Sequence, residues 1–489
     1  MSPSTIALAI IFAIVATGTA AGFLAGARRK MDLEQWTVAG RGFGAVLVYL
    51  LMAGEGYTTF SFLGASGWAY SRGGPTLYIL AYLTLGYVIS FFTLPPIWEM
   101  GRRYGLQTQS DFFLVRYGSE YLAAFVCLVS VIFLIPYVQL QLTGLGIIVQ
   151  TASFDAIGRT AAMTISTILV AAFVYVGGIR AVAWVSLLKD ALMLLAAITI
   201  GIAIPQLYFG GAAKMFRALV AAHPRHLTMP GATLDLGHTW FISTVLLTSV
   251  GLYMWPHSFA STFTARSGET LRRNAIVMPL YTTTIAFIFM AGFTAVLVAP
   301  GLSNGDLALL SLVRAKFPAW FLGMIGGAGA LTAMVPCAIF LLTASTLFVK
   351  NLVRPHFAPG LNEEQMSRLA RFMVMVLSVC SLYLAIYSSA SLVSLLLLGY
   401  AGVAQFFPGV VLGLYWERTQ SRGVFAGLSA GLAVAAILFF TGRDPWFGWN
   451  AGFVGLCVNF VVTLAVSVVA PAARERPAIG STGAANFVV

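Results

Sequence analysis

The stretch LLMAGEGYTTFSFLGA, residues 50–65, decides the reading of the fold, because one carboxylate, Glu55, stands between two glycines in an otherwise apolar run. A charged side chain at the centre of a bilayer costs at least ~2.5–3.5 kcal/mol, so one that persists there faces a bundle interior or a wet cavity. Gly54 and Gly56 each weaken a helix by roughly 1 kcal/mol relative to alanine and let carbonyls leave the helical ladder. The stretch reads as a membrane helix broken at a site.

Composition supports the membrane setting. The chain has 489 residues, 59% of them hydrophobic and 9% charged, with a mean hydropathy of +0.89. Soluble domains carry about 25% charged residues. Apolar blocks of about 20 residues recur along the chain, each long enough to cross ~30 Å of hydrocarbon as a helix. The net charge of +12 excludes neither class alone, but the basic residues lie in short loops between apolar blocks. That is a topology signal and not a nucleic-acid-binding face.

About thirteen spans are expected: 5–27, 43–70, 75–100, 120–150, 158–178, 182–206, 238–260, 273–299, 317–350, 368–389, 391–415, 422–441 and 448–471. The first lacks a basic start and is followed by ARRK (27–30), so it reads as a retained anchor with the N-terminus outside. With that orientation, 20 of the 28 Lys and Arg residues, Lys189 among them, fall on the cytoplasmic side and 8 outside. The bias places the C-terminus in the cytoplasm and the protein in the plasma membrane. The loops at 207–237 and 351–367 are too short to fold alone, and the tail after 472 reads as disordered. Function is therefore expected between the helices. The four cysteines read as packing residues, and His223 and His226 lack the acidic or thiol partners of a zinc site.

Three spans have broken interiors: the second at GEG (54–56), the seventh at GLYMWPHSF (251–259) and the eleventh at GYAGVAQFFPG (399–409). Paired breaks in two halves of a membrane protein point to a transporter site near the midplane. Polar residues gather around them: Tyr57, Thr58, Thr59 and Ser61, then Trp255 and His257, then Gln405, with Tyr137, Gln139 and Gln141 on the fourth span. Lys189 and Asp190 add a second buried ionisable pair. No nucleophile–base pair or metal cluster suggests an enzyme or a bound cofactor.

The motifs WTVAGRGFG (36–44), GGIRAVAW (177–184), PHSFASTFTARSGETLRRNAIVMP (256–279) and TASTLFVKN (343–351) together resemble the sodium/solute symporter family. Within it, AGEGYT (53–58), LLKDALM (187–193) and MVPCA (334–338) look most like bacterial monocarboxylate permeases, which import pyruvate, lactate and similar acids. The resemblance implies an all-α LeuT-like fold: a peripheral helix and loop at 1–42, a first inverted repeat at 43–206 and an outer loop at 207–237. A second repeat at 238–415, two peripheral helices at 416–471 and the tail at 472–489 complete it. It also implies a cavity formed by spans two, four, seven and eleven, and a sodium site using the carbonyls of Gly54 and Tyr57. The paired hydroxyls of that site map to Val335 and Pro336, and its carboxylate to Ser186, so its side-chain oxygens are depleted here. Lys189 stands three residues after Ser186, on the same helix face. A lysine on the equivalent helix replaces sodium in some other LeuT-fold transporters.

The expectation is a secondary active transporter that imports a small organic solute, a monocarboxylate, by symport with H+ in preference to Na+. Its coupling residues would be Gly54, Glu55, Tyr57, Ser186 and Lys189. Tyr57, Thr58, Ser61, Gln139, Gln141, Trp255, His257 and Gln405 would shape the substrate site. Free N–H groups at the broken helices could receive the solute's carboxylate. Partners are the solute and membrane lipid, with no nucleic acid. The rivals are a sodium-coupled symporter of another solute, a channel, and a transporter-like sensor, the last expected to carry a cytoplasmic signalling domain.

Overall fold

The computed structural model describes residues 1–26 and 44–469, and these are built of helices joined by short loops. Inside hydrocarbon every N–H and C=O must be satisfied within the protein, and the helix does this locally. The chain runs α1 (Pro3–Gly26), α2 (Ala45–Gly56), α3 (Ala65–Ser71), α4 (Tyr78–Tyr104), α5 (Gln109–Tyr117), α6 (Glu120–Ala152) and α7 (Arg159–Phe209). An outer-loop helix α8 (Ala212–Ala222) leads to α9 (His238–Gly251), α10 (Pro256–Thr262), α11 (Gly268–Thr282), α12 (Ile285–Val298), α13 (Ala308–Lys316) and α14 (Ala319–Leu347). The remainder is α15 (Glu363–Tyr387), α16 (Leu392–Val403), α17 (Phe406–Tyr415), α18 (Ser421–Phe440) and α19 (Ala451–Val469). The motif at 36–43 and the tail from 470 lie outside the described residues.

Among the described residues, nine helices are long and apolar enough to cross a membrane, or eleven if each of two bent pairs counts as one span. The thirteen expected from the sequence are not reached on this measure. The fifth expected span is the shorter apolar stretch Arg159–Tyr175. The seventh is divided by its break into α9, of 14 residues, and α10, of 7.

At 1.5 Å per residue α7 would be about 77 Å long if straight, more than twice the hydrocarbon thickness. Both its ends nevertheless meet the C-terminal turn of α13. Arg314 pairs with Asp155, just before α7, at 2.7 Å, and Lys316 lies 5.4 Å from the ring of Tyr208 near the far end. The run therefore doubles back and supplies two crossings.

All three expected breaks occur. α2 and α3 are bent by 52°, and α16 and α17 by 42°. Between α9 and α10 the chain leaves the helix at Leu252–Trp255, with Trp255 extended (φ −59°, ψ 132°) as the residue before a proline must be. Pro256 then opens α10, where its missing N–H costs nothing. Five other helices carry interior prolines, among them α14 with Pro336.

Small residues bring the peripheral helices close. A Cβ on Gly423, Gly427 or Gly431 of α18 would lie within 2.2, 2.0 or 2.3 Å of another side chain, and Ser467, Thr463 and Asn459 of α19 line this seam. Spaced four apart, the glycines give α18 and α19 the close approach typical of membrane helix pairs.

Candidate functional site

α2 ends at Gly56, and its last turn leaves carbonyls with no partner in the helix. Lys189 of α7 takes two of them. Its Nζ donates to Gly54 O at 2.9 Å and to Tyr57 O at 3.2 Å, and lies 3.0 Å from Asp190 Oδ1. An ammonium has three protons and no acceptor, so two carbonyls and one carboxylate account for all of them. The lysine is fully buried and Asp190 nearly so. Tyr281 OH donates to the same Asp190 oxygen at 3.1 Å, while Oδ2 has no hydrogen-bond partner. Glycine at 54 permits the approach, since a Cβ there would stand 3.0 Å from Lys189 Nζ.

This geometry corrects one expectation. Lys189 was counted with the cytoplasmic positive charges, yet it points into the bundle. Ser186, expected among the coupling residues, lies beside Gly54, and its hydroxyl donates to Val182 O at 3.0 Å, one turn back on its own helix. Val335 and Pro336 are buried within α14 and bring no side-chain oxygen.

Glu55 leaves the last turn of α2 towards α10. Its Oε1 accepts a short hydrogen bond from Ser261, whose hydroxyl also reaches His257 O at 2.9 Å. With one proton, that hydroxyl donates to one of them at a time. Tyr57 packs edge-on against Tyr281, ring centroids 4.7 Å apart, and its hydroxyl bonds Thr284. One cluster therefore joins the second-span break, the seventh-span break and α7.

Beside Glu55 is a cavity of about 20 Å³, room for about one water. Glu55, Gly56 and Ser258 supply its polar side. Aromatic rings supply most of the rest: Tyr82 and Tyr87 of α4, Tyr137 of α6, Tyr253, Trp255 and His257 at the seventh-span break, and Tyr400 of α16. Trp255 packs on Tyr137 at 4.6 Å and edge-on to Tyr400 at 5.3 Å. A Cβ on Gly399 would collide with its indole at 2.3 Å, which explains the glycine there. Trp255 and His257 are buried in this wall; the imidazole Nδ1 has no hydrogen-bond partner, whereas the indole lies against the Tyr400 hydroxyl.

The expected substrate residues divide. Trp255 and His257 line the cavity. Tyr57, Thr58, Ser61, Gln139, Gln141 and Gln405 do not. Ser61 Oγ donates to Gly56 O at 2.6 Å and Thr58 Oγ1 accepts from Phe60 N at 3.1 Å, so both serve the break itself. Gln141 Oε1 accepts from Thr59 Oγ1 at 2.6 Å, and Gln139 reaches Leu384 O at 3.5 Å. Gln405 turns to α19, bonding Gly452 O and Asn459 at 3.1 Å. His226 Nε2 bonds Ala69 O at 2.8 Å, and no metal-ligand group of three or more His, Cys, Asp or Glu occurs among the described residues.

The third span, expected at 75–100, was not assigned to the cavity, yet Tyr82 and Tyr87 line it. Its tyrosines at 78, 82 and 87 sit in YILAYLTLGYV (78–88), a run whose aromatics read equally well as packing. Gln109 was missed too. From the loop helix α5 its Nε2 donates to Met254 O at 2.9 Å, satisfying a carbonyl opened by the seventh-span break.

With this geometry in view, the comparisons with known proteins are specific. The family model described as sodium:solute symporter family matches residues 36–431. The chain belongs to the sodium:solute symporter family. "Uncharacterized symporter YhjB" of Bacillus subtilis is 42% identical, covering 96% of this chain and 99% of its own. "Monocarboxylate transport permease protein" of Rhizobium johnstonii is 27% identical over 95% of this chain and 97% of its own. Among solved structures, a substrate-bound, outward-open Na+-coupled sialic acid symporter superposes with a TM-score of 0.80 at 17% identity, covering 96% and 99% of the two chains. The fold is that of the LeuT-like transporters, and the protein is a multi-pass membrane symporter.

Proposed function

We propose that the protein imports a small organic solute carrying one carboxylate, by symport in which H+ is favoured over Na+. The observation that carries the coupling ion is Lys189 Nζ on Gly54 O and Tyr57 O. These are the carbonyls that the family resemblance assigns to sodium. An ammonium there supplies a fixed positive charge, and its three donors use the oxygens that a sodium ion would need. Val335 and Pro336 offer no side-chain oxygen and Ser186 only a hydroxyl, whereas a hard cation seeks about six oxygens. Lysine, unlike sodium, can release a proton to Asp190 or Glu55 and regain it, so one residue can link protonation to the shape of the break. The carboxylate of the solute rests on the sequence resemblance and on the Rhizobium relative's name.

The same reading places the N-terminus outside and the C-terminus in the cytoplasm of the plasma membrane. Residues 43–206 and 238–415 act as inverted repeats that rock about the site, α1, α18 and α19 standing at the periphery. Uptake of radiolabelled pyruvate, lactate and acetate into proteoliposomes tests the reading. Saturable accumulation against a gradient is expected. Passive, unsaturable flux would make the protein a channel.

A further inference from the structure

We infer that a groove between α6, α16, α18 and the start of α19 seats one phosphatidylethanolamine, its acyl chain along the groove and its ammonium at Asp444. This site is separate from the solute cavity and does not depend on the symport reading.

The groove has a volume of about 440 Å³, within the roughly 300–1,000 Å³ typical of ligand sites. Apolar side chains make its walls, Phe133, Leu398, Leu432 and Phe439 among them, and its polar residues, Ser394, Asp444 and Asn450, stand at one end. A buried water needs two to four polar partners, so water does not fill such a space. On α16 the lining runs from Ser394 to Ala401, and on α18 from Phe440 back to Leu432. Seven or eight residues of helix descend about 10–12 Å, most of one leaflet's half of a ~30 Å hydrocarbon core. On α6, Ile132 and Pro136 meet the groove near the middle of that 33-residue helix.

The polar end lies at headgroup depth. Between Asp444 and Asn450, Trp446 and Trp449 exchange backbone hydrogen bonds at 2.8 and 2.9 Å, and both indoles and Phe447 are exposed. Exposed tryptophans of a membrane protein sit at the lipid–water interface. The occupant is therefore an amphiphile, with a chain below and a head at the mouth.

The charges select the head. Asp444 is the one charged residue lining the groove among the described residues. Its Oδ1 accepts from Ala451 N at 3.0 Å, and a carboxylate has further lone pairs for a cation. Burial raises this carboxyl above its ordinary value, a cost that an ammonium beside it would offset. Ser394 is already engaged with Ser391, and Asn450 with Thr244 and Gly452. The preceding residue, Arg443, is exposed and can meet the phosphate of the same head. A purely anionic head brings no cation to Asp444, and choline has no N–H to donate. The groove also backs onto the solute cavity. Pro136 and Ala401 face the groove, while their neighbours Tyr137 and Tyr400 face the cavity.

The test titrates delipidated full-length protein in detergent with phosphatidylethanolamine, phosphatidylcholine, phosphatidylglycerol and diacylglycerol of identical chains, counting bound lipids by native mass spectrometry. Phosphatidylethanolamine is expected to bind about threefold or more tighter than each of the others, the margin one exposed charged contact supplies. Asp444→Asn keeps an oxygen for Ala451 N and should erase that preference. Ala436 lines the groove and is exposed, so Ala436→Trp should fill the space and remove one bound lipid. If a variant fails to fold, the parent's ranking decides alone. Any of the other three lipids binding as tightly, or a preference undiminished in Asp444→Asn, overturns the inference. A dimer that Ala436→Trp dissociates would also overturn it, by giving the groove to a second copy of the chain.

Discussion

At the scale of single residues, the site is governed by which side chain fills the mouth of the second-span break. The sequence shows the depleted ligands at Ser186, Val335 and Pro336, and it shows Lys189 one turn along the same face. Reach along a helix face is legible because i and i+3 are neighbours. The engagement of Asp190 was not, since adjacent residues on a helix point about 100° apart and nothing local brings them to one ammonium. Glu55 was legible as a buried charge, but its partner Ser261 is 206 residues away in the chain. The close approach of Lys189 makes a sharp test of the two glycines. A Cβ at position 54 would press on Lys189 Nζ at 3.0 Å, whereas one at position 56 meets only Tyr87 OH at 3.6 Å. Gly54→Ala is expected to reduce the initial rate of uptake at least about tenfold, since misplacement by roughly 1 Å at a site costs far more. Gly56→Ala should stay within about threefold of the parent, because its new methyl gains ordinary contact at the cost of some backbone freedom. Equal rates in the two variants, measured at matched expression, would contradict this placement of the lysine.

At the scale of elements, the breaks were legible from glycine and proline, and their surroundings were not. GEG, WPH and the glycines after 399 mark where helices cannot continue, because backbone chemistry acts locally. Which helices close the cavity depends on packing, and the third span's place in its wall emerged only with the structure. The seventh-span break shapes the cavity by holding Trp255 extended before Pro256. Pro256→Ala is expected to lower uptake strongly while leaving membrane insertion and folding intact, read by surface labelling and size-exclusion profile. Normal uptake would place the solute elsewhere. The loop helix α5 ties this break to the end of α14. Gln109 holds Met254 O, and Asp111 accepts from Lys350 at 2.7 Å and from Asn351 at 2.8 Å. Burial alone would raise the Asp111 carboxyl, but Lys350, with Asn351 and the Gln107 amide, outweighs it and holds the group below the usual carboxylate range. A lowered value in the folded protein adds stability that is present above the unfolded carboxylate pKa, near 4, and lost as pH falls below it. Lys350→Met leaves burial in command. The variant should melt lower at pH 7, and its melting temperature should fall less on acidification from pH 5 to pH 3 than that of the parent. Parallel curves for the two proteins would show that the pair contributes nothing.

At the scale of the whole molecule, the second-span break meets the doubled-back α7 at one ammonium and the seventh-span break at Glu55, with a contracted aromatic cavity alongside. The class of fold was legible throughout, because hydropathy and the positive-inside bias act over long windows. The count of spans was less so, since the break in the seventh and the shortness of the fifth remove them from any test by length. The central claim is that Lys189 holds the place of a coupling cation. The most direct measurement is concentrative uptake of a transported solute into proteoliposomes under an imposed pH gradient without sodium, then under a sodium gradient at equal pH, for the parent and Lys189→Ala. The account predicts accumulation by the parent on the pH gradient alone and its loss in Lys189→Ala, with solute counterflow as the control for a folded carrier. Accumulation that requires sodium and ignores pH, or that persists undiminished in Lys189→Ala, would contradict it.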